Sequence, residues 1–326
     1  MIIRRVIFLL LKIGVSVGLL WLVISRVDFG GITGRLRGVD WRWLVPGLFV
    51  GPATIFLAAW RWHKLSLGLI GYGAAVRYTW IGLFFGSIMP GLVGGDLAKG
   101  LSLAAKDERT RDSRLPVSII LDKLVGFWVL LLVFVSVAMV LLVTQPALLA
   151  GARGAVWTAG ALATAGLLGS ALLCHPRGRE WIIRVMLPMP FAPLRRVTEK
   201  FITAVGTYSG RGRLLAQAAA MSLVLHALNA LALWFTLRSL AIPASLWFAA
   251  AFYPLLSVLL ALPISVSGVG VRDVFSASMF ATFGLGAASG VAFSWLLLGL
   301  SVPSVLVGGG VQCWEVFSRR PHNTAD

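Results

Sequence analysis

Two glycine-rich breaks in otherwise apolar sequence each carry a cation, a combination that suits anion binding. The first break is PGLVGGDLAKG (90–100), which contains Lys99, and the second is PISVSGVGVRD (263–273), which contains Arg272. Glycine permits tight turns and lets a ligand approach the backbone closely. A helix that restarts after such a turn presents free N–H groups and the positive end of its dipole. We therefore predict an anion site at each break.

Carboxylates in and between the breaks would balance these two cations. Asp96 lies in the first break, Asp273 ends the second, and Asp122 precedes Lys123 in the apolar stretch SIILDKLVGFW. Adjacent helical residues point about 100° apart, so Asp122 and Lys123 each need a partner of their own. We expect a break cation to pair with Asp122, and Asp96 or Asp273 to pair with Lys123. The predicted substrate-binding residues are Gly94, Gly95, Asp96, Lys99, Asp122, Lys123, Gly268, Gly270, Arg272 and Asp273.

Each of these charges also has a purely structural interpretation. Asp96 follows two glycines and fits a helix N-cap, and Lys99 fits a side chain that extends to the membrane surface. Arg272 and Asp273 fit charges of an outside loop. The stretch AAWRWHKL (58–65) has the aromatic and basic residues of an ordinary membrane interface, and we do not place it in the site.

The elements that must position these residues are membrane helices. The chain of 326 residues is 58% hydrophobic and 13% charged, where a soluble domain has about 25% charged residues. Apolar runs long enough to cross the bilayer predict full spans near 6–25, 43–60, 117–143, 154–174, 214–237 and 286–311. We interpret the net charge of +17 as loop residues facing anionic lipid, not as nucleic-acid binding. Two cysteines and four scattered histidines predict no metal site, and we expect no cofactor.

The two breaks also align with each other, which suggests an internal repeat. Pro90 matches Pro263 and Lys99 matches Arg272 without a gap. If each break is a re-entrant hairpin, most of the 29 basic residues fall on the cytoplasmic side, with both termini there. We predict an all-α polytopic membrane protein with six full spans and two re-entrant hairpins. Its single domain, 1–326, would consist of inverted halves, 1–143 and 154–311, and a cytoplasmic basic loop, 175–213, that is either an amphipathic helix or a plain connector.

Three stretches together carry a family resemblance. MPGLVGGDLAKG, LDKLVG and LPISVSGVGVRD resemble the motifs of the lysylphosphatidylglycerol synthase transmembrane, or flippase-like, family over residues 5–315. Lys123 stands where that family usually has Arg, and Asp273 where it usually has Glu. The resemblance implies movement of a lipid with a polar headgroup between leaflets of the cell's inner membrane. We expect no synthase activity, because the chain ends soon after its last predicted span.

We expect a flippase-like transporter, not an enzyme, whose substrate has a phosphate headgroup, either a phospholipid or a polyprenyl-phosphate-linked sugar. Lys99, Arg272 and the glycine-turn amides would hold the phosphate, while the carboxylates balance charge or carry a coupling proton. The absence of a Walker A sequence leaves an ion gradient or passive equilibration as the energy source. Two alternatives stay open: a lipid-phosphate transferase or phosphatase, and a scaffold for cell-envelope glycosyltransferases that uses 175–213.

Overall fold

The computed structural model describes residues 29–88, 94–104, 114–144, 153–186, 202–261, 265 and 268–318, together with 18, 21 and 25. Within these residues the chain is helical and contains no strand. The helices are α1 Phe29–Arg37, α2 Trp41–Leu65, α3 Tyr72–Ile88, α4 Gly94–Ala104, α5 Arg114–Thr144, α6 Arg153–Cys174, α7 Pro176–Met186, a 3-10 turn at Gly206–Tyr208, α8 Gly212–Ser239, α9 Leu246–Ala261, α10 Val271–Thr282 and α11 Ala287–Phe317. Pro90, Pro263, most of the predicted span 6–25 and both chain ends lie outside the described residues.

Four of the described helices, α2, α5, α8 and α11, are long and apolar enough to cross a membrane. They contain 25, 31, 28 and 31 residues, with a mean hydropathy from 1.6 to 2.9 over 18 residues. They coincide with the predicted spans 43–60, 117–143, 214–237 and 286–311, and α6 covers 154–174. Large apolar side chains such as Phe49, Val143 and Leu306 are exposed on the outside of the bundle, as lipid contact requires. The prediction of an all-α polytopic membrane protein is therefore confirmed.

The first glycine-rich break separates α3 from α4, and these two helices pack tightly against each other. A Cβ atom added at Gly95 would lie 2.2 Å from the carbonyl oxygen of Gly82 and 3.2 Å from the Cα of Gly86. Glycine at all three positions therefore lets the two backbones touch. Since α4 has 11 residues and a length of about 16 Å, it is too short to cross a hydrocarbon layer of about 30 Å.

The second break separates α9 from α10, a helix of 12 residues. Gly268 and Gly270 adopt φ angles of +76° and +83°, which side-chain-bearing residues rarely tolerate. Helix α10 packs mainly on α11, where a Cβ at Gly290 would lie 2.3 Å from the carbonyl oxygen of Ser276. The first hairpin also packs on α11, since a Cβ at Gly308 of α11 would lie 2.3 Å from the carbonyl oxygen of Trp80 on α3. The re-entrant course of both hairpins and the inverted relation of the two halves stay predictions.

The basic loop 175–213 contains a short helix, α7, directly after α6. Trp181 and Val185 on α7 are exposed, while Arg179 donates a hydrogen bond to the Ser209 hydroxyl. This part of the loop is therefore a helix tied to the segment before α8, and not a plain connector.

Candidate functional site

A cavity of about 640 Å³ lies between helices of both predicted halves. Both breaks reach it: Gly95 at the start of α4 lines it, and so do Ser265 and Gly268 before α10. Its walls are apolar between the polar groups. The polar and charged lining residues are Thr54, Arg61, Thr79, Ser87, Asp96, Lys99, Asp122, Lys123, His226, Asn229, Tyr253, Ser265 and Ser301. The described residues thus bring most of the predicted site together in one chamber.

Asp122 forms a two-pronged ion pair with Arg61 of α2. The Nε and Nη2 atoms of Arg61 lie 2.8 Å and 3.2 Å from the two carboxylate oxygens. The third guanidinium nitrogen, Nη1, donates to the hydroxyl of Ser222 on α8 at 2.7 Å. Gly126, one turn after Asp122, makes room for the guanidinium, because a Cβ there would lie 3.2 Å from Nη1. The prediction that a break cation forms this ion pair with Asp122 is wrong.

The neighbouring residue Lys123 pairs with Asp96, one of its two predicted partners. The Nζ atom lies 3.1 Å from a carboxylate oxygen of Asp96, and the Lys123 side chain is 51% exposed. Asp96 lies in the first turn of α4, where the positive end of the helix dipole also stabilises a carboxylate. The two adjacent charges on α5 therefore have separate partners, as helix geometry requires.

Lys99 is buried, with 6% exposure, and lines the cavity. Its ammonium lies 3.6 Å from the ring centroid of Trp62, a cation–π contact. Among the described residues no carboxylate lies within ion-pair distance of it. The interpretation of Lys99 as a lysine that extends to the membrane surface is therefore wrong.

The charge balance of the cavity favours an anion. Its described lining holds three cations, Arg61, Lys99 and Lys123, and two carboxylates, Asp96 and Asp122, which leaves a formal charge of +1. Both carboxylates are in ion pairs, whereas Lys99 is not. An anionic group entering the cavity can therefore approach Lys99 without displacing a carboxylate from it.

Arg272 and Asp273 do not line this cavity but lie buried between α10 and α11. Both contact the hydroxyl of Ser294: Arg272 Nε donates to it at 2.8 Å, and the hydroxyl donates to Asp273. The other carboxylate oxygen of Asp273 accepts the N–H of Gly270 at 2.9 Å and caps α10. The structure therefore corrects the assignment of Gly270, Arg272 and Asp273 to the same chamber as Lys99. It also excludes an exposed loop position for Arg272 and Asp273.

Of the predicted glycines, Gly95 and Gly268 line the cavity and Gly94 begins α4.

Sequence reasoning missed Arg61, His226, Asn229 and Tyr253. Arg61 was assigned to an interfacial belt, yet it is 7% exposed and holds Asp122. A signal for His226 and Asn229 was present, because Ser222, His226 and Asn229 recur at the four- and three-residue spacing that places side chains on one face of a helix. That polar face of α8 is turned toward the cavity.

The family model of the lysylphosphatidylglycerol synthase TM region matches residues 9–308. Because the match covers most of its length, the chain belongs to this family, and the predicted resemblance is confirmed. Membership and the apolar helices together establish an integral membrane protein with a lipid-related role. No curated protein and no solved structure matches the chain.

Proposed function

We propose that this member of the lysylphosphatidylglycerol synthase TM family moves a lipid with an anionic headgroup between the two leaflets of the membrane. The observation that carries the proposal is the chamber of net positive charge between the halves, with Lys99 outside any described ion pair. The substrate class is a lipid with a phosphate in its headgroup, either a phospholipid or a polyprenyl-phosphate-linked sugar. The chain acts as a transporter and not as an enzyme.

The size and polarity of the chamber support a headgroup as the occupant. A volume of about 640 Å³ falls within the range of small-molecule sites, about 300–1,000 Å³. Lys99 attracts the phosphate, while Asn229 and the hydroxyls of Thr54 and Ser301 offer hydrogen bonds to the remainder of the headgroup. The acyl or prenyl tail stays among the apolar side chains on the outside of the bundle.

Movement follows from the position of the chamber between the halves. Its walls come from α2 to α5 of the first half and from α8, α9 and α11 of the second. Rocking of one half against the other changes the side to which the chamber opens, which is the usual device of transporters with broken helices. The bias of basic residues supports an orientation with both termini in the cytoplasm. We propose the cell's inner membrane as the location.

The test is lipid movement in reconstituted liposomes. Purified protein is inserted into vesicles that contain fluorescent NBD-phosphatidylglycerol or zwitterionic NBD-phosphatidylcholine, and dithionite reports the fraction in the outer leaflet. The variant Lys99→Gln removes the cavity charge but keeps a polar side chain. The matched control is Lys64→Gln, an exposed lysine at the end of α2.

We expect Lys99→Gln to slow the anionic lipid at least tenfold, which corresponds to about 1.4 kcal/mol. Lys64→Gln should match the wild type. Arg272→Ala is expected to act through folding, because Arg272 lies outside the chamber. Equal rates for wild type and Lys99→Gln would remove the proposed mechanism, and no movement above protein-free vesicles would remove the function.

A further inference from the structure

His226 lies on α8 with hydrogen-bonding partners from both predicted halves. Its Nε2 atom is 3.0 Å from the carbonyl oxygen of Gly126 on α5, and its Nδ1 atom is 3.0 Å from the Tyr253 hydroxyl on α9. The ring lines the cavity. We propose that His226 is a proton-binding site linked to anion binding in this cavity. The inference rests on the proposed function for its consequence, which is coupling of lipid movement to a proton gradient.

The partners of His226 satisfy the ring in both charge states. A carbonyl oxygen only accepts, so Nε2 must carry a hydrogen, and Nδ1 of the neutral ring accepts from the Tyr253 hydroxyl. When a proton binds, the new bond is Nδ1–H, and the Tyr253 oxygen becomes its acceptor after the hydroxyl rotates. The proton returns to solvent when that bond breaks. Charging the ring therefore requires no movement of the described heavy atoms, and both ring nitrogens keep a hydrogen-bonding partner.

The carboxylates of the cavity are poorer candidates for a coupling proton. Asp122 is held by two guanidinium nitrogens of Arg61, and Asp96 is held by Lys123. Protonating either carboxylate breaks an ion pair and leaves a cation unbalanced. Among the described cavity residues, His226 is the group that can gain a proton without breaking an ion pair.

The charges around the cavity decide whether a proton on His226 strengthens or weakens anion binding. The charged groups that line the cavity with the ring are Arg61 from α2, Asp96 and Lys99 from α4, and Asp122 and Lys123 from α5. Tyr253 from α9 contacts the ring itself. A proton on His226 raises the formal charge of this set from +1 to +2. The charged ring therefore attracts an anion more strongly, and a bound anion holds the proton more strongly by the same factor. Binding of the lipid anion and binding of the proton therefore favour each other.

The first experiment measures equilibrium binding of NBD-phosphatidylglycerol to the full chain in neutral detergent between pH 5 and pH 7. We expect the wild-type affinity to rise about tenfold as the pH falls, within the usual range of site–site coupling. In His226→Gln the pH dependence should be lost. The control His63→Gln, whose Nδ1 contacts the Ile70 carbonyl outside the cavity, should keep it. A wild-type affinity that does not vary with pH overturns the proposal, as does unchanged pH dependence in His226→Gln.

The second experiment compares NBD-phosphatidylglycerol movement in liposomes with and without a pH gradient. The readout is the ratio of the two rates, so a general loss of activity in a variant does not mimic the result. The wild-type ratio should exceed one severalfold, His226→Gln should give a ratio near one, and Tyr253→Phe, which removes the Nδ1 partner, should fall between them. A gradient effect that survives in His226→Gln overturns the coupling. If the wild type binds the lipid in a pH-dependent way but does not move it, the transport function fails while the proton site is supported.

Discussion

Replacing Arg61 by methionine tests whether the buried ion pair with Asp122 organises the cavity. The change keeps an unbranched apolar stem but removes the guanidinium, whose three nitrogens contact Asp122 and Ser222. Asp122 then remains as an uncompensated carboxylate in a site where its side chain is 13% exposed. Ser222 keeps its hydrogen bond to the Ala218 carbonyl and adds little to the cost.

The expected loss in the free energy of unfolding follows from the burial of the Arg61–Asp122 ion pair. Removing one partner of a buried ion pair costs about 3–5 kcal/mol. Lys99 also exerts an attractive electrostatic interaction on Asp122, so we place Arg61→Met at the lower end, about 3 kcal/mol. That value is a change of more than 100-fold in the ratio of folded to unfolded protein. The double variant Arg61→Met/Asp122→Leu should recover stability to within about 1 kcal/mol of the wild type, because an apolar pair of similar volume replaces the charges.

The ion pair between Lys123 and Asp96 provides the control, because Lys123 is next to Asp122 on α5. Lys123→Met removes a side chain that is 51% exposed, and exposed ion pairs contribute at most about 1 kcal/mol. Stability is measured by unfolding in mixed detergent and sodium dodecyl sulfate, followed by far-ultraviolet circular dichroism. If Arg61→Met costs no more than Lys123→Met, or if the double variant is as unstable as the sum of its single changes, the burial argument is refuted.

Two further predictions concern packing and the end of α2. Gly95→Ala should destabilise the chain by about 1–3 kcal/mol and impair lipid movement, since its Cβ would meet the Gly82 carbonyl oxygen at 2.2 Å. Gly100→Ala on the same helix, where the nearest atom lies at 3.5 Å, should be neutral or stabilising in the same unfolding assay. Tyr208→Phe should cost about 1 kcal/mol, because the hydroxyl donates to the Leu65 carbonyl. Burial raises the pKa of Tyr208 to about 12, whereas the unfolded residue ionises near pH 10, so the hydroxyl's contribution is complete below pH 10 and is lost toward pH 12. The stability difference between wild type and Tyr208→Phe should therefore shrink above pH 10, and a constant difference would contradict this account.

Parts of the site could be predicted because they depend on local sequence. The glycine-rich breaks at 90–100 and 263–273 interrupt apolar runs, and the described helices end and restart around both of them. The separate partners of Asp122 and Lys123 follow from the 100° step of a helix. The pairing of Lys123 with Asp96 is also a prediction that the structure confirms.

Other parts could not be predicted, because they depend on how the helices rotate against one another. Arg61 lies 61 residues before Asp122, and the local sequence around each gives no sign that they meet. His226 and Tyr253 likewise join different helices. A span that is apolar on all sides has no strong amphipathic face, so its hydropathy does not fix which side turns inward.

The sequence by itself determined the class of protein, the long helices and the position of the two breaks. Apolar length and glycine content act on the chain locally, and a helix satisfies the hydrogen bonds of its backbone in lipid within a single segment. Only the tertiary structure decided which charges share the cavity: it brought Arg61 in, placed Lys99 over Trp62 and left Arg272 between α10 and α11. Those contacts are set by close packing between helices, since a shift of one residue along a helix turns a side chain by 100° and exchanges its partners.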